Sequence, residues 1–319
     1  MAPDLLLRIA ARREEADGIV GLDLVAAEGG ALPRFSAGSH IDIEIAPGLT
    51  RAYSLCGDPA RTDTWQLAVL REEASRGGSA AVHRDFHPGR VVRAAGPRNH
   101  FPLREDASFS LLLAGGIGIT PLLAMAWRLH ALGRRFCLHL CARRPSRAAF
   151  LPLLTGGPLA THARVHFDAG DPAQRFQPDA ILRPPGPDGD LYVCGPGGFM
   201  DGVIAAARQA GWAEGRIHQE RFSAPAAPAG GTTFTVIARR SGRRVTVPPD
   251  RSIADMLLEA GIDLPLSCEQ GVCGSCLTDV IAGIPDHRDL YQTDEEKAAN
   301  RRITPCCSRA LSAELELDI

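Results

Sequence analysis

Residues 268–276 read CEQGVCGSC, three thiols in nine residues at C-x4-C-x2-C spacing. No other feature of the 319-residue chain restricts its fold so strongly: one loop must bring three sulfurs together. The nine cysteines are odd in number, and the first residues, MAPDLLLRIAARREEADG, lack the basic region and small-residue cleavage site of a secretory signal. A disulfide framework is therefore not expected. The expected compartment is the reducing cytoplasm, where clustered cysteines bind metal.

A structural zinc site usually has two close pairs of ligands, with two to four residues between partners. Here the gaps are four and two residues, with Gly271 and Gly274 between Cys268, Cys273 and Cys276. That is the plant-type [2Fe–2S] spacing, which needs a distant fourth cysteine. TPCCSRA offers Cys306 and Cys307, and the 29 residues between Cys276 and Cys306 suit the pattern. Glycines give such a loop backbone freedom and let N–H groups approach the sulfides. Zinc and metal-free buried cysteines are the alternatives, and the residues alone leave both Cys306 and Cys307 open.

Ahead of this loop the chain falls into blocks. Residues 1–103 alternate short apolar runs with Gly/Pro turns, as in HIDIEI, AYSL, TWQLAVL and RVVRAA. Many short strands with little helical periodicity predict an antiparallel β-barrel. Residues 104–222 alternate strand-like and helix-like segments: SLLLAGG, PLLAMAWRLHALG, FCLHLCARR, ARVHFDAGD and DLYVCGPGGFMDGVIAAARQAG. That order predicts an α/β domain with a parallel sheet. SAPAAPAGGTT, 223–233, reads as a linker. Residues 234–319 follow with two strands, a helix capped by Ser252, the cysteine loop and a final strand, an α+β domain of β-grasp type. Glycines and a proline interrupt the uncharged run Phe109–Trp127, which argues against a membrane span. With a net charge of -2 there is no polybasic signature for nucleic acid or anionic membrane.

Two glycine-rich strand ends point to a dinucleotide. In AGGIGITP, Gly115, Gly116 and Gly118 let a pyrophosphate approach the backbone, and the helix that follows favours anions. CGPGG, with Cys194, Gly195 and Pro196, ends a second parallel strand, where ligand clefts of open sheets form. In the first block, Arg51 of RAYSL supplies a cation and Tyr53 a ring face. Gly77, Gly78 and Ser79 open a helix able to cradle a phosphate. Each motif alone also suits an ordinary tight turn. Cys56, Cys137 and Cys141 read as buried small hydrophobes.

RAYSL, RGGS, GGIGITP, CGP, QERF and CEQGVCGSC…CCSRA, in that order, resemble the phthalate dioxygenase reductase family over the whole chain. The resemblance implies a flavin barrel, a pyridine-nucleotide domain and a ferredoxin-like [2Fe–2S] domain, with FMN in place of FAD and NADH as donor. It implies that Arg51, Tyr53, Ser54, Leu55, Val69, Leu70 and Arg71 line the flavin and that Gly77, Gly78 and Ser79 hold its phosphate. Thr120 and Phe222 would lie near its ring. Gly116, Cys194, Gly195 and Pro196 would form the nicotinamide cleft, and Cys268, Cys273, Cys276 and Cys306 would be the cluster ligands. Cys307 departs from the family, where many members have valine. Arg143 and Arg144 of CARRP could hold a 2′-phosphate, and Asp168 and Asp171 could oppose one; the family leans to NADH.

NADH gives up two electrons together and a [2Fe–2S] cluster takes one, so a carrier between them must store a pair and release it singly, as a flavin does. Thr120, Cys194, Glu220 and Phe222 are the residues expected to shape the transfer site; no nucleophile or general base is needed. The resemblance further implies a monomeric reductase serving a terminal Rieske non-haem iron oxygenase. A reductase for a haem monooxygenase and a non-enzymatic iron–sulfur redox sensor are the alternatives. A sensor would need neither RGGS nor GGIGITP.

Overall fold

The computed structural model describes residues 4–73, 77–183, 186, 188–222 and 230–319. Most of the expected linker, 223–229, lies outside the described residues. The chain divides into two compact units, Met1–Phe222 and Ser223–Ile319.

The first unit opens with β1 (Asp4–Ala16), β2 (Ile19–Ala26), β3 (Ser39–Ala46), β4 (Leu49–Ser54), β5 (Trp65–Leu70), helix α1 (Gly78–Asp85) and β6 (Val91–Asn99). The strands form one antiparallel sheet in the order β4-β3-β6-β1-β2-β5. Alternation drives it: Leu7 and Ile9, Leu22 and Leu24, Ile41 and Ile43, and Trp65 and Leu67 point inward, at most 1% exposed. The end strands β4 and β5 approach one another without pairing, so the sheet curls into a half-barrel.

Next come β7 (Phe109–Gly115), α2 (Ile119–Ala131), β8 (Phe136–Ala142), α3 (Leu151–Gly156), β9 (Ala163–Phe167), α4 (Pro178–Ile181), β10 (Gly189–Cys194), α5 (Gly197–Gln209) and β11 (Ile217–Glu220). All five strands are parallel, ordered β11-β10-β7-β8-β9. From β7 the chain winds outward through β8 and β9, then returns to place β10 on the other side of β7. The topological switch point therefore lies between β7 and β10. The run 109–127 is strand then helix, and no helix among the described residues is long and apolar enough to cross a membrane.

The second unit contains β12 (Phe234–Ala238), β13 (Arg243–Val247), α6 (Ile253–Glu259), β14 (Thr278–Ala282), β15 (Pro285–Asp286), α7 (Asp294–Ala298), β16 (Arg302–Ile303), β17 (Arg309–Ala310) and β18 (Glu314–Leu317). Its main sheet runs β13-β12-β18-β14-β16, with β12 and β18 parallel and the other pairs antiparallel. Helix α6 packs Ile253 and Leu257 onto Val236, Val247, Leu315 and Leu317. Ser252 caps α6 as expected: its hydroxyl accepts from the Asp255 N–H at 3.0 Å, and Asp255 returns the bond to the Ser252 N–H at 3.2 Å.

A candidate nucleotide cleft and a candidate cluster site

At the switch point two glycine turns meet. A side chain on Gly115 would run into Phe199 and Pro196, and one on Gly118 into the Cys194 carbonyl and the Gly195 nitrogen. Only bare backbone lets the ends of β7 and β10 close up so far. Gly116 is different: its φ is +52°, and no atom lies within 4 Å of where a Cβ would stand. Its surroundings are open, as a turn presented to a ligand requires. Pro196 precedes α5, which begins at Gly197, so a helix N-terminus faces the same opening.

The half-barrel contributes its own edge to this cleft. Strand β5 lies against residues 116–118. The Ser54 hydroxyl at the end of β4 donates to Glu220 Oε2 at 3.5 Å, and Glu220 is paired in register with Cys194. Burial pushes the Glu220 carboxyl up to about 8, against the opposing effect of Ser54. Burial, reinforced by Glu220, also pushes the Cys194 thiol well up, so Cys194 is a neutral thiol with no exposure. A neutral carboxyl, a neutral thiol and a hydroxyl thus converge where the two sheets meet.

Glu220 makes a measurable prediction. Its carboxyl is raised from the ordinary 4.5 to about 8. Between those values the folded chain binds a proton that the unfolded chain does not, so stability falls as pH rises through the window and levels above it. At about 1.4 kcal/mol per pKa unit the effect is several kcal/mol at most. Glu220→Gln should flatten that slope, and urea midpoints of both proteins across the window are the check. An unchanged slope would move the titration elsewhere.

Along β4, the Arg51 guanidinium donates to the Thr50 carbonyl at 2.8 Å, and its stem fills the space beside Gly78. Burial pushes the Tyr53 hydroxyl up to about 12, with Arg51 opposing. Leu55 and Val69 are buried, whereas Arg71 is exposed. Gly77 caps α1 and Gly78 opens it, and the Ser79 hydroxyl accepts from the Glu72 N–H at 3.1 Å. His83 Nε2 at 2.9 Å from the Val69 carbonyl ties α1 to β5.

The cysteine loop joins α6 to β14. Cys268 touches the thiols of Cys273 and Cys306, and Cys306 touches those of Cys276 and Cys307. Those contacts push Cys268 down and Cys306 up. Among the described residues no three His, Cys, Asp or Glu side chains gather as one metal ion would require. The thiols run instead in a chain, Cys273–Cys268–Cys306–Cys276. A chain of four soft donors fits a two-iron core, which divides its thiolates between two metals, better than tetrahedral zinc. Gly271 (φ +72°) closes the loop: a Cβ there would strike Cys307 Sγ and sit 3.0 Å from Asp289. The cradle is built for small residues around the sulfurs.

Comparison with known proteins finds relatives along the whole chain. The 2Fe-2S iron-sulfur cluster binding domain covers residues 236–311. The vanillate O-demethylase oxidoreductase of Pseudomonas sp. strain HR199 is 47% identical over 98% of both chains. Phthalate dioxygenase reductase, whose structure is described as modular, for electron transfer from pyridine nucleotides to [2Fe-2S], is 39% identical. It superposes with a TM-score of 0.78 over 99% of this chain and 98% of its own. The chain belongs to the phthalate dioxygenase reductase family. It is therefore an oxidoreductase, the reductase component of an oxygenase system. A type IV self-sufficient cytochrome P450 monooxygenase is also similar, at 36% identity and a TM-score of 0.84; this chain covers 41% of that longer protein.

Within this family frame, several expected residues are engaged locally. The Thr120 hydroxyl, 2% exposed in the first turn of α2, donates at 3.1 Å to the carbonyl of Ile117 in the turn before the helix. Phe222, just past β11, is 39% exposed. Arg144 lies 3.5 Å from Asp17, and Asp171 accepts from the Ala173 N–H at 2.9 Å, so each already has a partner near the end of β8 or β9. Burial pushes the thiols of Cys56, Cys137 and Cys141 up. Sequence patterns missed Asp289. Its buried carboxylate accepts from the Tyr291 and Gln292 N–H groups at 3.2 and 2.7 Å, while Lys297 bonds its carbonyl at 2.7 Å, bracing the segment against Gly271. They also missed a row in which His139 Nδ1 meets His166 at 2.8 Å and His139 Nε2 meets Cys137 Sγ at 3.2 Å. Burial holds His139 down at about 4, so that row is neutral.

Proposed function

We propose that this chain takes electrons from NADH through FMN and a [2Fe–2S] cluster to a Rieske non-haem iron oxygenase acting on an aromatic acid. The proposed domains are a flavin half-barrel at 1–103, a nicotinamide-binding α/β domain at 104–222, a linker at 223–233 and a ferredoxin-like domain at 234–319. The observation that carries the reading is the meeting of Ser54, Glu220 and Cys194 at a glycine-lined switch point, on the same chain as a four-thiol loop.

When bound, the flavin converts an electron pair into single electrons. The chain's task is to hold and orient. Arg51, Tyr53, Ser54 and Leu55, with Val69, Leu70 and Arg71, would flank the flavin, and Gly77, Gly78 and Ser79 would take its phosphate on N–H groups. Gly115, Gly116, Gly118, Cys194, Gly195 and Pro196 would seat the nicotinamide nucleotide, with Thr120, Glu220 and Phe222 shaping the space between the rings. Glu220 and Cys194, both pushed toward their neutral forms, would keep uncompensated charge away from the space between the rings. Cys268, Cys273, Cys276 and Cys306 would hold the cluster. The proposed chain is a monomer of the reducing cytoplasm, where cysteines serve as metal ligands and not as a disulfide framework.

The test is spectral. The purified protein should show flavin and [2Fe–2S] absorption that anaerobic NADH bleaches, and heat should release FMN. A colourless protein that takes up only zinc would sink the reading. Similarity to the self-sufficient P450 favours, as a second reading, electron delivery to a haem monooxygenase. Turnover with a Rieske oxygenase but not with a P450, in the presence of NADH, decides between them.

A further inference from the structure

Cys307 is the one thiol of the loop region that the proposed ligand set leaves over. It follows Cys306 in a turn closed by Cys307 N–H and Ser308 N–H bonds to the Thr304 carbonyl at 3.3 and 3.1 Å. Its sulfur touches that of Cys306. It also hydrogen-bonds the Thr304 hydroxyl at 3.3 Å, with longer contacts to Ser308 Oγ at 3.8 Å and the Thr304 carbonyl at 3.9 Å. On the opposite side stands Gly271, whose missing side chain leaves the space that Cys307 Sγ fills. Gly271 belongs to the segment that joins Cys268 to Cys273. The Cys307 sulfur is thus lodged between the fourth proposed ligand and the loop carrying the first two, held on its far side by hydroxyl and carbonyl groups of neutral residues.

The other corners are not doubled in this way. Cys273 has the Ser275 hydroxyl beside it at 3.3 Å, and Cys276 is 4% exposed within the apolar core. Among the described residues of the second unit, the cysteines are the four proposed ligands and Cys307.

We propose that Cys307 is an alternative ligand for the iron held by Cys306, and takes over when Cys306 is lost. This rests on the [2Fe–2S] reading of the site. In the exchange the iron bond to Cys306 Sγ breaks and one to Cys307 Sγ forms. The thiol proton of Cys307 passes to the sulfur it displaces, so neither net charge nor oxidation state changes. Where residue 306 carries no sulfur, the proton leaves to solvent as the iron binds.

The experiment uses the full chain as wild type, Cys306→Ala, Cys307→Ala and the double variant. Each is reconstituted anaerobically with ferrous iron and sulfide, so that failed assembly in the cell plays no part. Circular dichroism reports whether each is folded. Cys307→Ala should keep the wild-type visible and electron paramagnetic resonance spectra. Cys306→Ala should keep near-wild-type iron and sulfide content with shifted g-values, and the double variant should keep neither. A folded Cys306→Ala protein without cluster, beside a wild type that has one, overturns the proposal and leaves the cluster reading intact. So does loss of the cluster in Cys307→Ala alone, which would make Cys307 the resident ligand. A wild type without any [2Fe–2S] signal brings down both.

Discussion

Cys273→Ala will give a protein that NADH still reduces at its flavin but that passes almost no single electrons onward. Cys273 enters the thiol chain through Cys268, and its remaining polar neighbour is the Ser275 hydroxyl. With Cys273 among the four proposed ligands, alanine there would leave three protein sulfurs for a core that takes four. The damage should stay local. Cys276 is packed in the core of the second unit and Cys306 lies at its edge, whereas Cys273 belongs to the loop above. The sheet around Phe234, Val236, Leu315 and Leu317 does not depend on it. The residues proposed to bind flavin and nicotinamide all lie in Met1–Phe222, the other compact unit. Iron content and NADH-driven cytochrome c reduction should therefore collapse, with near-complete loss, while the rate of flavin bleaching in stopped flow stays near wild type. Full retention of iron and cytochrome c reduction would remove Cys273 from the ligand set.

Features written in short stretches of sequence were the legible ones. The C-x4-C-x2-C spacing is fixed by covalent chain length, so it reads directly as a loop of gathered sulfurs. The alternation of Leu7 with Ile9, or Trp65 with Leu67, is likewise local, because a strand's period of two follows from its backbone. The Ser252 cap was visible for the same reason, since a cap and the turn it closes are neighbours in the chain. Contacts between distant residues were not legible. Ser54 and Glu220 are 166 residues apart in sequence, and only the docking of half-barrel on parallel sheet brings them together. Glu220 alone looks like a surface charge; its raised carboxyl comes from what is packed over it. Asp289 is similar: DHRDLY carries no signal that one of its two aspartates is buried against a glycine of the cysteine loop. Between Cys306 and Cys307, adjacent in sequence, only side-chain direction distinguishes the thiol facing Cys268 and Cys276 from the one turned back to Thr304.

Gly118→Ala should cost far more than Gly116→Ala, although GGIG makes the two look alike. At Gly116 the backbone is left-handed, φ +52°, and the space for a side chain is open. Alanine there bears only the backbone penalty, roughly 1 kcal/mol. Gly118 has φ -61°, a conformation open to any residue. Its Cβ would nonetheless collide with the Cys194 carbonyl and the Gly195 nitrogen. Those are main-chain atoms of the neighbouring strand end, so no change of rotamer gives relief. The ends of β7 and β10 must separate, at a cost of roughly 3 kcal/mol or more. The same separation pulls Glu220 from Ser54, because Glu220 is in register with Cys194 on β10. Urea midpoints should therefore fall modestly for Gly116→Ala and steeply for Gly118→Ala, and at any urea concentration where it is folded Gly118→Ala should need much more NADH to reach half-maximal flavin reduction. Equal losses in the two variants would mean that backbone strain, and not the contact across the switch point, is what the glycines of this turn relieve.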